Sequence, residues 1–216
     1  MAAIPFLDPT LGPVAVGTAA LGAVAGAVGT FAVVRRRSLQ GDAVSHAALP
    51  GVALAYLVGG RSDVALVLGA AVTGWLAMGC VAVVVGRSRV PFDAALGGAL
   101  AVFFGLGLVL LPYFQSAADK WWLYPGETRT LKVQQFLFGQ DAALMRLTDL
   151  GPILALGGGA VLAVGLLWKE FKVLSFDPDF AASLGLPTRR LDLLLTGLVV
   201  LAVVLGLQTV GVVLLS

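Results

Sequence analysis

Long apolar runs alternate with short charged or Gly- and Pro-containing breaks along the whole chain. A helix needs about 20 mostly apolar residues to cross the hydrocarbon of a bilayer. Six runs come close to or exceed that length: 10–34, 43–60, 64–86, 94–118, 150–168 and 193–216. None contains Asp, Glu, Lys or Arg, and the second contains the one histidine, His46. The pattern predicts an all-α, polytopic transmembrane helical bundle of about six spans.

Lys and Arg placement orients such a bundle, because cytoplasmic ends carry the excess. One side holds Arg35, Arg36, Arg37, Arg87, Arg89, Lys169, Lys172, Arg189 and Arg190, nine of the fourteen basic residues. The other holds Arg61, Lys120, Arg129, Lys132 and Arg146. The first side is therefore assigned to the cytoplasm, and six alternating spans put the N-terminus outside. The triple arginine at 35–37 is read as an orientation signal. The N-terminus lacks the basic start of a cleaved signal peptide, so the first run is expected to stay as a span.

Two connections are long. The outer one, about 115–149, carries Trp121, Trp122 and Tyr124, which suit a membrane interface; its 131–139 part is equally consistent with a short interfacial helix or a solvated loop. The inner one runs from Lys169 to Pro187. Ser175 or Asp177 can cap a helix there, with Pro178 in its first turn and Asp179 near its positive end. Gly185 and Pro187 would stop it. Phe176, Phe180 and Leu184 recur every fourth residue, so the expected element is a short amphipathic cytoplasmic helix. It is either a connector packed on its own protein or a docking element for a partner.

Composition agrees: 59% of residues are hydrophobic and 12% charged, where a soluble domain has about 25% charged. The single cysteine, Cys80, excludes an intramolecular disulfide and a Cys-based metal cluster. No phosphate loop of the G-x-x-x-x-G-K-[ST] type occurs, nor a dinucleotide fingerprint, so ATP hydrolysis and independent catalysis are not expected of this chain.

The chemistry left is Asp42 and His46, in the run Gly-Asp-Ala-Val-Ser-His-Ala-Ala-Leu-Pro-Gly at 41–51. Residues i and i+4 share a helix face. A carboxylate and an imidazole then point the same way at or inside the bilayer, where ionisable groups are costly and mark ion or substrate paths. Oxygen plus imidazole nitrogen suits Mn²⁺, Fe²⁺ or Zn²⁺. A plainer reading has Asp42 capping the second span and His46 making one hydrogen bond. Two ligands per chain make a weak site, which fits passage better than storage, and a dimer could bring two such pairs onto one axis.

The segment 35–56, Arg-Arg-Arg-Ser-Leu-Gln-Gly-Asp-Ala-Val-Ser-His-Ala-Ala-Leu-Pro-Gly-Val-Ala-Leu-Ala-Tyr, resembles the signature of the ABC-3 metal permeases, the membrane subunits of bacterial manganese, zinc and iron importers. Segments 136–140, 169–187 and 207–214 are similar to that family too. The resemblance implies one transmembrane permease domain over residues 1–216. It also implies a cytoplasmic ABC ATPase, an extracellular or periplasmic metal-binding protein and a second permease subunit, identical or different. The setting would be the bacterial inner membrane, with no nucleic-acid partner. Asp42 and His46 match the positions that the family's motif offers to the metal. Phe176, Asp177, Pro178, Asp179, Phe180, Leu184 and Gly185 fall in the family's ATPase-coupling segment, and no permanently bound cofactor is implied beyond ATP on the partner. Family members run longer, with about eight spans, so the chain is expected to be shortened at its C-terminus. An ion-coupled carrier or channel without an ATPase, and a non-transporting subunit, are the competing readings.

Overall fold

The computed structural model describes residues 11–58, 63–118 and 147–210. Among them eight helices and no strand occur: α1 (Leu11–Val34), α2 (Leu39–Val58), α3 (Asp63–Arg87), α4 (Phe92–Ala118), α5 (Leu147–Leu166), α6 (Trp168–Phe176), α7 (Pro178–Ser183) and α8 (Thr188–Val210). The protein is an all-α, multi-pass membrane protein. A helix closes its own backbone hydrogen bonds, which hydrocarbon cannot do for it.

Six long helices stand at the six expected places. Four of them, α1, α3, α4 and α8, have the length and apolarity to cross a membrane; a fifth is obtained if α5 and α6, bent by 68° at Leu167, count as one broken span. The helix α2 is not among them, and its first two turns hold Gln40, Asp42, Ser45 and His46. It begins at Leu39 rather than Ala43, so Asp42 lies inside the first turn instead of ahead of it. Residues 119–146, which hold most of the outer connection with its 131–139 part read as an interfacial helix or a loop and the 136–140 segment, and residues 211–216 lie outside the described residues.

The helices form two compact units, one of α1 and α5–α8, the other of α2–α4. In the first, Val24, Val28 and Phe31 of α1 share a core with Ala160 and Val164 of α5, Phe171 and Leu174 of α6, and Leu191, Leu195 and Val199 of α8. Phe31 meets Trp168 and Phe171 edge-on, with centroids 5.2 and 5.7 Å apart. Those contacts hold α6 against the end of α1 after the bend. Arg35 and Arg37, just past α1, both donate to Asp192 Oδ1 in the first turns of α8. The alternation of spans places these two helix ends on one side, and here they meet.

In the second unit α2 and α3 touch backbone to backbone. A side chain on Gly51 would run into Thr73 Oγ1 and the Gly69 carbonyl, and one on Gly69 would run into the Gly51 carbonyl. Small residues permit this approach, which drives helix association where lipid supplies no hydrophobic gain. On the other flank a side chain on Gly107 of α4 would lie 2.7 Å from Leu49 Cβ. The result is a deeply enclosed α2: Val44, Ser45, Ala47, Ala48, Val52 and Ala53 are buried. By contrast Val102, Leu106 and Val109 form an exposed apolar stripe on α4, as a lipid-facing surface should. Cys80 on α3 is exposed as well.

The two kinds of glycine separate in a direct test. Gly51→Ala is expected to destabilise the protein by about 1–3 kcal/mol through overpacking, whereas Gly79→Ala on α3 enters open space and should be neutral or slightly stabilising. Thermal unfolding in detergent checks both; equal midpoints for the two variants would refute the close crossing.

Candidate metal site and coupling element

On α2, His46 Nε2 lies 3.3 Å from Asp42 Oδ1. The spacing of one helical turn produces this contact, and Asp42 in the first turn sits where the helix's positive end favours a carboxylate. The imidazole is 20% exposed and the carboxylate 39%. The plainer expectation, Asp42 as a cap ahead of the span, does not hold, because the helix starts three residues before it.

The edge of the Phe104 ring on α4 packs against the imidazole, with centroids 4.9 Å apart at 75°. It is held there by the close approach of α4 at Gly107, one turn further on. His46 Nδ1 is buried with no hydrogen-bond partner among the described residues, so the ring is positioned by packing and by Asp42. Ser45 turns its hydroxyl inward to the Asp42 carbonyl, at 2.8 Å.

The pair can offer a carboxylate oxygen and an imidazole nitrogen to one cation. Among the described residues no group of three or more His, Cys, Asp or Glu assembles. Zn²⁺ needs about four ligands and octahedral Mn²⁺ about six, so the described residues offer an incomplete shell.

The 169–187 segment is two helices rather than one. The chain leaves helical geometry at Asp177 (φ −147°, ψ 92°), which splits the segment into α6 and α7. Asp177, not Ser175, is the cap: its Oδ1 accepts the Phe180 N–H at 2.8 Å, Pro178 follows as the first helical residue and Asp179 lies in the first turn. Gly185 ends α7 at φ 77°. Its N–H donates to the Ala182 carbonyl and that of Leu186 to the Ala181 carbonyl, the paired closure of a Schellman turn. Ala181 is fully buried and anchors the helix. Phe176, Phe180 and Leu184 stay 71%, 53% and 57% exposed although a helix break separates the first from the others.

Sequence reasoning missed two features. Phe104 carries no mark among eleven phenylalanines. Asp192 is separated by 157 and 155 residues from Arg35 and Arg37, and no local pattern announces the pairing.

An all-α membrane protein with a carboxylate–imidazole pair on an enclosed helix and an exposed aromatic turn between spans is thereby defined. The sequence pattern of the ABC 3 transport family matches residues 8–216, and the chain belongs to that family. It is 41% identical over 201 residues to the manganese transport system membrane protein MntC of Bacillus subtilis, covering 93% of this chain and 44% of that protein. It is 40% identical over 212 residues to the zinc transport system membrane protein TroC of Treponema pallidum, covering 98% and 68%. Among solved structures it resembles PsaBC from Streptococcus pneumoniae in complex with Fab, with a TM-score of 0.75 and 32% identity, covering 95% of this chain and 68% of that one. The chain thus spans from under half to about two thirds of the length of these relatives.

The caps on α7 make a local prediction. Asp177→Ala removes the acceptor for the Phe180 N–H and should cost about 1 kcal/mol of local stability. Amide exchange across residues 179–184 should accelerate by roughly fivefold, while that of α8 stays unchanged. Unaltered exchange at Phe180 would refute the cap.

Proposed function

We propose that this chain is the membrane permease subunit of an ATP-driven importer for a divalent transition metal ion, with Asp42 and His46 as ligands on the ion path. The observation that carries the reading is the pairing of these two side chains at 3.3 Å on an enclosed helix of a chain in the ABC 3 family. A charged group is tolerated in such a position when it serves an ion or substrate path.

Two donors from one chain bind an ion weakly, and a carrier must release its ion. A second permease subunit, identical or related, would bring further donors to the same axis. Paired Asp and His sets offer two nitrogens and up to four oxygens, which favours Mn²⁺ and also accommodates Fe²⁺ or Zn²⁺. The names of the manganese and zinc relatives point the same way. An extracellular or periplasmic protein would deliver the ion, and the assembly would sit in the bacterial cytoplasmic membrane. A separate ABC ATPase would supply the energy, since this chain has no phosphate loop.

The ATPase contact is assigned to residues Phe176 to Gly185. Phe176, Phe180 and Leu184 expose large apolar surface at a polar turn between helices, a pattern that marks a protein contact. The capped, anchored α7 presents Phe180 on a fixed scaffold. Movement of the ATPases on nucleotide binding would shift this element and switch the path between outward and inward access.

ATP-dependent uptake of Mn²⁺ and Zn²⁺ into vesicles carrying this chain with its ATPase and binding protein tests the reading. Asp42→Asn and His46→Ala should each reduce uptake by at least about tenfold with the complex still assembled. Unchanged uptake in both variants would reduce the pair to a structural role. Uptake driven by a proton gradient without ATP would replace the proposal with an ion-coupled carrier.

A further inference from the structure

The junction of α1 and α8 carries a second built cluster, distinct from the metal pair. The helix α1 closes in a Schellman turn: the Arg37 N–H donates to the Ala32 carbonyl at 2.8 Å and the Arg36 N–H to the Val33 carbonyl at 2.9 Å. The left-handed position of that turn, normally glycine, is filled by Arg36 at φ 54°. A side chain there costs about 1 kcal/mol. The turn has a geometric effect. Two residues apart on a continuing helix, Arg35 and Arg37 would face nearly opposite ways. With the helix broken at Arg36, both reach the same oxygen of Asp192, Arg37 at 3.0 Å.

The cluster is partly desolvated, with the Arg35 side chain 12% exposed, Arg37 27% and Asp192 38%. Burial, then the charge of Arg35, lower the Arg37 pKa from its ordinary value, and Asp192 opposes that shift. Removing the carboxylate would leave two half-buried guanidinium groups facing each other, so these helix ends are held by charge as well as by packing.

Position gives the cluster its meaning. Asp192 follows Pro187, just beyond the turn that ends α7, and α6 packs on the end of α1 through Phe31 and Phe171. On the other side, Arg37 stands two residues ahead of the start of α2, the helix that bears Asp42 and His46. We propose that Asp192, gripped by Arg35 and Arg37, is a positioning residue that transmits displacement of α6–α7 to the 35–38 turn and so to α2. The proposal rests on the reading of α7 as the ATPase contact. A simple staple between two helices would stabilise the fold but would not set how much metal moves per ATP.

The test uses the complete complex of this chain with its ATPase and binding protein in vesicles, with Mn²⁺ as the probe. Three quantities are read for Asp192→Asn and Asp192→Glu: ATPase retained on the complex, equilibrium Mn²⁺ binding, and Mn²⁺ taken up per ATP hydrolysed. Asp192→Asn is expected to keep the ATPase and the Mn²⁺ affinity while uptake per ATP falls about tenfold, within the usual range of coupling between sites. Asp192→Glu, which keeps the carboxylate, should recover most of it. Wild-type uptake per ATP in Asp192→Asn overturns the proposal, as does a fall that merely follows loss of the ATPase. If Asp192→Asn does not assemble, Arg37→Gln, which leaves the Arg35 contact in place, is read by the same criteria. Phe180→Asp separates the underlying reading: an ATPase that stays bound to this variant removes the docking assignment, whatever Asp192 does.

Discussion

The approach of α2 to α3 at Gly51 and Gly69 is the constraint on which the second unit depends. With the two backbones this close, only the small side chains of Thr73 and Ala55 stand beside the crossing, and α2 is enclosed by α3 on one flank and by Gly107 of α4 on the other. Packing of the helix fixes where Asp42 and His46 stand: the residues between them are buried, while the imidazole stays 20% and the carboxylate 39% exposed, 3.3 Å apart. Close packing by glycine thus sets the position of the one carboxylate–imidazole pair on α2.

The first unit is organised differently. Its core is a continuous apolar contact from Val24 to Val199, extended by the Phe31, Trp168 and Phe171 rings around the 68° bend. Polar interactions enter at the end of α1, where Arg35, Arg37 and Asp192 meet. Half-buried ion pairs of this sort are sensitive to loss of one partner, since the remaining charges stay desolvated. That sensitivity suits the cluster to conveying a displacement between helix ends, and it gives Arg35 and Arg37 a contact in addition to the orientation read from the triple arginine.

What the sequence made legible was local. Asp42 and His46 are one turn apart, so their pairing followed from helix geometry alone. Asp177, Pro178 and Gly185 act through hydrogen bonds within a few residues, and the structure shows the capping and termination their identities implied. The break at Asp177 into two helices was not foreseen, because the four-residue recurrence of Phe176, Phe180 and Leu184 survives the break as common exposure. Distant features were illegible for a plain reason. Asp192 meets its arginines across more than 150 residues, and Gly51 and Gly69 are two of 28 glycines whose roles depend on which helices cross. The apolar run ends where α1 ends, at Val34, but the left-handed turn that closes the helix carries no glycine to mark it, because Arg36 fills that position.

The brevity of α7 has a consequence for anyone seeking to block this surface. Six residues are far below the roughly 12–15 at which a free helix becomes even marginal in water, so the shape of α7 is borrowed from the Asp177 cap, the Gly185 closure and the buried Ala181. An excised peptide of the same sequence would carry Phe180 and Leu184 on a largely unfolded chain and would compete poorly for whatever binds the intact turn. A mimic of the turn would need a covalent staple or a grafted scaffold, since its conformation is maintained by the cap, the closure and the burial of Ala181 rather than by the helix itself.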